Sequence, residues 1–179
     1  MTQRNPLGRR VVVTGIGGIS ALGHDWPSIA SSLKAQKNCV VTMAEWDKYD
    51  GLNTRLAAPV TDFEVPSHYS RKKIRSMGRV SIMATRASEL ALIDAGLLDD
   101  PIVTSGEMGI AYGSSTGSTD PITAFGDMLK TGDMSGVTAT SYIRMMAHTT
   151  AVNVGVFFGL KGRIHTTSSA CTSGSQGIG

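Results

Sequence analysis

Arg163-Ile-His-Thr-Thr-Ser-Ser-Ala-Cys171-Thr-Ser-Gly-Ser-Gln-Gly-Ile-Gly179 is the stretch from which the fold is read. A β-rich run through Ile164, Thr166 and Thr167 leads into an elbow of small residues. Beyond Cys171 the Thr-Ser-Gly-Ser-Gln-Gly run has the size and capping chemistry of a tightly packed helix start. This predicts a thiol at a helix N-terminus, where unpaired backbone N–H groups and the positive end of the helix dipole favour thiolate over thiol. A cysteine so placed is a candidate for covalent catalysis. The competing reading is a small buried residue, the commonest use of a free cysteine.

Working outward, the composition bounds what surrounds this elbow. The 179 residues are 41% hydrophobic and 17% charged, enough to bury a sizeable core in one or at most two domains. A net charge of +3, with no massed cations and no aromatic stacking surface, argues against a nucleic-acid footprint. Two distant cysteines, Cys39 and Cys171, make no disulfide framework, and a nucleophilic thiol needs a reducing compartment, so the cytoplasm is the expected location. No apolar run approaches the roughly 20 residues that span a bilayer. No His/Cys/Asp/Glu group has metal-ligand spacing, and His148 and His165 stand alone. Gly179 falls about two turns into the helix expected after Cys171, so the sequence is expected to be a piece of a longer protein.

Upstream, Arg9 to Thr14 is a continuous β-branched run, expected as a strand buried on both faces. The Gly15-Ile-Gly17-Gly-Ile-Ser20 turn that follows invites a dinucleotide reading. However, Ser20 occupies the third glycine position, and Asp25-Trp26-Pro27 starts the next helix only after the glycines have ended. Tyr69-x-x-x-Lys73, a spacing used by some dehydrogenases, has no glycine-rich context and is set aside. Ser28 to Lys37 reads as a surface helix. Residues 38–77 form an excursion outside the main sheet, with Trp46 and Tyr49 expected to pack it down. In Ser70 to Arg79 five of ten residues are cationic; if helical, Lys72, Arg75 and Arg79 share one face suited to a polyanionic partner, or simply to solvent. Arg79 to Ala95 shows a 3.6-residue period through Val80, Met83, Ala87, Leu90 and Ala91, with Gly96 as its stop. Glu107 to Gly113 reads as a strand, followed by a small polar loop and a helix with Asp120 as N-cap and Pro121 at N1. His148 to Phe158 is apolar nearly all round, either a buried helix or a strand, and Gly159 favours helix.

Ser168-Ser-Ala-Cys171-Thr-Ser-Gly174, preceded by Gly159-Leu-Lys-Gly162 and followed by Gly177-Ile-Gly179, resembles the nucleophile motif of the β-ketoacyl-acyl carrier protein synthases. These are decarboxylating condensing enzymes of the thiolase fold. Arg10-Val-Val-Val-Thr-Gly15 through Gly23 is similar to their first strand and turn. The resemblance implies a layered α/β/α fold with a mixed sheet, built as two similar halves, of which residues 1–179 are the N-terminal one. It implies that Cys171 carries the acyl group, with its backbone N–H as half of an oxyanion hole, and that two catalytic histidines lie beyond residue 179. It further implies that Lys72, Arg75 and Arg71 dock acyl carrier protein, and that the Gly113–Gly117 loop meets a second subunit, identical or related, at the floor of the acyl pocket. Gly113 and Thr116 are then substrate-binding candidates. Thr116 stands where relatives making long saturated chains often have an apolar residue, Ser76 where another cation is common, His148 where Asn is common and Arg163 where Pro is frequent. No cofactor is expected, because phosphopantetheine arrives on the carrier. A thiolase-fold acyltransferase using coenzyme A, and an inactive pairing or scaffolding half, are the alternatives.

Overall fold

The structure, a computed structural model, describes residue 8 and residues 10–179. Arg9, where the expected first strand begins, and the polar Met1–Leu7 lie outside the described residues. Eight α-helices and four short strands follow among those described. Helix α1 (Trp26–Lys34) starts as expected, with the Asp25 side chain accepting from Ser28 N–H at 2.7 Å and a proline in its first turn. The excursion carries an antiparallel pair, β1 (Val41–Thr42) and β2 (Leu56–Ala57), around a 3₁₀ turn at Ala44–Lys48.

The scaffold of the molecule is a parallel pair with a helical crossover. Strand β3 (Ile110–Gly113) pairs with β4 (Ile164–Thr167) in the register Ile110 with Ile164 through Gly113 with Thr167. Parallel neighbours cannot be joined by a tight turn. The connection accordingly runs through α5 (Asp120–Thr131), α6 (Ala139–Met145) and α7 (Thr149–Phe158). Asp120 is the first helical residue of α5 rather than its cap, which is Thr119. Helix α7 packs on both strands and on α3 (Arg79–Asp94), and α8 (Ser173–Ile178) packs on β3 and β4. Among the described residues no helix is long and apolar enough to cross a membrane.

The largest correction concerns the β-branched run after Arg9. Val11, Val12 and Val13 are 90%, 66% and 79% exposed and belong to no strand. A strand exists only with a partner for its N–H and C=O groups, and no strand among the described residues pairs with this run. Just downstream the glycine-rich turn packs flat on α3. A Cβ on Gly15 would collide with the carbonyl of Ala91 and come 2.7 Å from Ala95 N, and one on Gly17 would come 2.6 Å from Ala91 N. These glycines permit close backbone approach to a helix, which accounts for them without a nucleotide.

Helix α3 is a second correction. The apolar stripe expected in the core is only half-buried; Val80, Met83 and Ala87 line an open cleft with Ile19 and Tyr112. The fully buried stripe is polar, Ser81, Thr85 and Glu89. Its Ser81 end faces α7, where Asn153 Nδ2 donates to Ser81 Oγ at 3.3 Å and Ser81 Oγ donates to Thr150 Oγ1 at 3.3 Å. Ser76 Oγ adds a bond to Asn153 Oδ1 at 2.9 Å. Helix α7 in turn is not buried all round, since Val156 stands 74% exposed. Period alone identifies two candidate faces of a helix, and polar residues paired across an interface can take the inner one.

The excursion is held down by other residues than those expected. Tyr49 is exposed and Trp46 half-buried. The buried Glu89 carboxylate instead accepts from Tyr69 Oη at 3.1 Å and bonds His68 Nε2 at 2.7 Å, with Arg86 on the same carboxylate. Burial alone pushes Glu89 up, but the bonds from His68, Arg86 and Tyr69 outweigh it and hold the carboxyl below its usual range. Burial first, then the Glu89 charge, pushes the Tyr69 hydroxyl far up, so it remains a donor.

Candidate active site

Strand β4 delivers the chain into a turn whose geometry is unusual for its residues. Ala170 has φ 51°, one of two non-glycine residues in the left-handed region among those described. Such a residue is strained and persists only where its surroundings hold it. A single 3₁₀ turn, Ala170–Thr172, follows and runs directly into α8. Cys171 therefore sits two residues ahead of the first residue of α8, not at the helix start itself. Its side chain is exposed and its thiol is free, and its N–H donates to no acceptor among the described residues.

A network of hydroxyls surrounds the turn. Ser173, 3% exposed, donates from Oγ to Ala170 O at 2.7 Å and accepts there from Ser169 N–H at 2.9 Å. Thr172 Oγ1 donates to Ser169 O at 2.8 Å, and Ser169 Oγ donates to Gln176 Oε1 at 2.6 Å. Thr167, the last residue of β4, donates from Oγ1 to Ser173 O at 2.7 Å. The thiol and the N–H of Cys171 are thus presented outward from a turn whose own polar groups are satisfied within it. Sequence reasoning missed these residues. Their signal was the run of hydroxyls and small residues on both sides of Cys171, which reads equally well as generic capping.

Gly113 lies beneath this turn. A Cβ there would collide with the carbonyl group of Ser173 and come 2.7 Å from Gly174 N. Its geometry is that of a close-packing position under the nucleophile turn. The loop after it is tied to β4 by Ser114 N–H donating to Thr167 O at 3.0 Å, and Thr116 on that loop is exposed. The far end of the loop is tied to the end of α6, with Gly117 N–H on Met145 O at 3.0 Å and Ser118 N–H on Arg144 O at 2.8 Å. Neither His148 nor His165 bonds the elbow among the described residues.

The cationic window does not form one helical face. Helix α2 (Arg71–Ile74) is a single turn, because Met77 and Gly78 are buried and the chain must dive inward before α3 begins at Arg79. Arg79 turns to the excursion, its guanidinium 5.7 Å from the centre of the Phe63 ring, and Lys73 Nζ lies 4.8 Å from the centre of the Phe157 ring. Tyr69 lies tilted against that same ring, centroids 4.6 Å apart, so Tyr69 and Lys73 both pack on Phe157. Arg71, Lys72 and Arg75 are exposed, without an acidic partner among the described residues. Arg144 reaches the same corner, donating from Nη2 to Arg75 O at 2.9 Å.

The family model for the β-ketoacyl synthase N-terminal domain matches residues 8–179. A 3-oxoacyl-[acyl-carrier-protein] synthase 2 of Vibrio harveyi is 30% identical over 171 residues, which cover 96% of this chain and 41% of that protein. The crystal structure of a β-ketoacyl synthase from Burkholderia phymatum STM815 superposes with a TM-score of 0.87 at 58% identity, covering 93% of this chain and 41% of that one. A type II polyketide ketosynthase solved with its acyl-carrier protein, AntDE:AntF, superposes with a TM-score of 0.75 at 20% identity, a likeness of fold. The chain thus spans about two fifths of the length of the relatives it matches.

Proposed function

The chain belongs to the β-ketoacyl synthase family, and on that premise we propose that it supplies the acyl-accepting half of a decarboxylating condensing enzyme. The observation that carries this reading is the free, exposed Cys171 thiol on a left-handed elbow, beside its own N–H, which has no acceptor among the described residues. The Cys171 thiolate attacks the carbonyl carbon of an acyl thioester on the carrier's phosphopantetheine arm. A C–S bond forms to Cys171, the C–S bond to the carrier breaks, and the carrier leaves as a thiolate that takes up the proton the Cys171 thiol gave up. Negative charge on the carbonyl oxygen in between is met by the Cys171 N–H. Malonyl-carrier then loses CO₂, its carbanion attacks the acyl-Cys171 carbonyl, and the Cys171 thiolate is released with the β-ketoacyl-carrier product. That N–H is one donor where such a site uses two, and the groups that assist decarboxylation are those the family resemblance assigns beyond residue 179.

Arg71, Lys72 and Arg75 are the carrier-docking residues of this reading, and Thr116 stands on the loop that limits the acyl chain and faces a second subunit. The location of the reading is the cytoplasm, where a thiol stays reduced. The test is acyl transfer to the full-length protein, followed by intact mass. Wild type should gain one acyl group from acyl-carrier and lose it when malonyl-carrier is added. Cys171→Ala should gain none, and equal loading of the variant would refute the assignment. Faster loading from acyl-coenzyme A than from acyl-carrier would move the reading to a coenzyme A-dependent acyltransferase.

A further inference from the structure

We propose that Ser173 is the positioning residue of the elbow: its buried hydroxyl holds Ala170 in the left-handed conformation that aims the thiol and N–H of Cys171 at one carbonyl group. The proposal rests on the acyl-transfer reading above and adds a role to a residue that never touches substrate.

Three observations converge on Ser173. The hydroxyl bonds both sides of the strained segment at once, accepting from Ser169 N–H at 2.9 Å and donating to Ala170 O at 2.7 Å. It is 3% exposed, so water does not replace it; of the other hydroxyls of the turn, Ser169 is half-buried and Thr172 is exposed, where water can take its place. Its main chain is fixed independently of its side chain. Ser173 O accepts from Thr167 Oγ1 at 2.7 Å, and Gly113 packs beneath it with no room for a Cβ. Ser173 therefore stays in place when its hydroxyl is removed, its N–H still on Ala170 O, while Ser169 N–H loses its acceptor and Ala170 O its side-chain donor, the buried bonds that flank the left-handed residue. An alanine at φ 51° is released toward ordinary backbone conformations once the bonds that over-determine it are gone. Cys171, the next residue, turns with it.

The chemistry separates aim from reactivity. Acyl transfer needs the sulfur on the carbonyl carbon and the N–H on the carbonyl oxygen in one geometry, and a misplacement of about 1 Å costs on the order of 10²-fold. A small alkylating reagent approaches the exposed sulfur from any direction and makes no use of the N–H.

In the full-length protein, Ser173→Ala should lower the maximal rate of acyl loading from acyl-carrier by about 10²-fold with KM little changed. Alkylation of Cys171 by iodoacetamide should proceed much as in wild type, since the sulfur stays exposed. Adding Ala170→Gly should restore most of the lost loading, because glycine adopts the left-handed region without support. Loading by Ser173→Ala at the wild-type rate would overturn the proposal, as would a loss that Ala170→Gly leaves unrepaired. Should Ser173→Ala fail to fold, loading by the folded double variant supports the proposal, and failure of both to fold overturns it in favour of a scaffolding role. A wild type that never forms acyl-Cys171 instead brings down the acyl-transfer reading itself.

Discussion

Replacing Gly113 by alanine tests how firmly the sheet fixes the nucleophile turn. The new methyl would point into the Ser173–Gly174 peptide. It collides with the Ser173 carbonyl group, and even the third nearest atom, Gly174 N, lies at 2.7 Å where ordinary contact begins at 3.4 Å. Clearing that one atom takes about 0.7 Å of movement, and clearing the carbonyl takes more. No flexible side chain is available to give way, because the opposing atoms are backbone. The end of β3 cannot retreat cheaply either, since Gly113 is paired with Thr167 and Ser114 N–H is bonded to Thr167 O. The movement therefore falls on the first turn of α8 and on Cys171 in front of it. Overpacking of this kind costs about 1–3 kcal/mol of stability, and displacing the thiol by roughly 1 Å costs about 10²-fold in acyl loading. The assay is thermal unfolding together with the single-turnover rate of acyl transfer to the full-length enzyme, with the Cys171→Ala variant as blank. Loading within twofold of wild type at an unchanged Tm would refute the reasoning, because it would mean that the turn is not wedged against the strand.

Four further expectations follow from the structure. Gly126 sits inside α5 with nothing within 4 Å of a Cβ, so Gly126→Ala should stabilise by about 0.5–1 kcal/mol, read as a rise in Tm. Tyr69→Phe removes one bond to the buried Glu89 carboxylate and should cost about 1.5–3 kcal/mol in chemical denaturation. The pH dependence has two limbs. Glu89 has a depressed folded pKa, so its contribution is full above 4.5 and is lost as pH falls through the lower folded value. Tyr69 has a raised one, so its contribution is full below 10.0 and is lost as pH rises above it. Tyr112, pushed up by burial as well, keeps a share of the alkaline limb, so a Tyr69→Phe protein whose alkaline limb is undiminished from wild type would contradict the assignment. Reversing charge at Lys72 and Arg75 should raise KM for acyl-carrier by about tenfold, with a flatter salt dependence, and leave loading from acyl-pantetheine unchanged; an equal loss with both donors would place these residues in the fold rather than at a docking face.

Local chemistry was legible in the sequence wherever one residue decides the outcome. Asp25 capping α1, Gly159 closing α7 at φ 70° and Gly96 ending α3 at φ 69° each follow from side-chain or backbone properties of a single position. The elbow at Cys171 was legible as a strand followed by small polar residues, and the structure adds the left-handed Ala170 and the intervening 3₁₀ turn. What the sequence did not convey is what faces what. The run Val11–Val13 has strand composition, but pairing is a property of two segments, and no strand among the described residues pairs with it. Helix α3 has one periodic apolar stripe and one polar stripe, and the choice between them for the inner face is made by Thr150 and Asn153, some 70 residues away. The cationic window breaks at Met77 and Gly78, where both residues are buried and Gly78 turns extended as the cap of α3; the glycine was a visible signal, but the burial that uses it is tertiary. In Gly113, likewise, the missing side chain matters only because Ser173 arrives above it.

The polar contact between α3 and α7 also determines how these helices can move. Two greased helices can slide past one another by a fraction of a turn at little cost, because apolar contacts reform continuously. Here Ser81 pairs hydroxyl to hydroxyl with Thr150 and accepts from the Asn153 amide, whose oxygen takes Ser76 just ahead of α3, all in one register. Sliding α7 by one helical turn, about 5.4 Å, would strand each of these groups in a dry interface, at about 1–3 kcal/mol apiece. The seam works as a detent: it admits one setting of α7 against α3 and resists those between. Since α7 also packs on β3 and β4, the same detent sets where the two strands, and the cysteine turn they carry, come to rest.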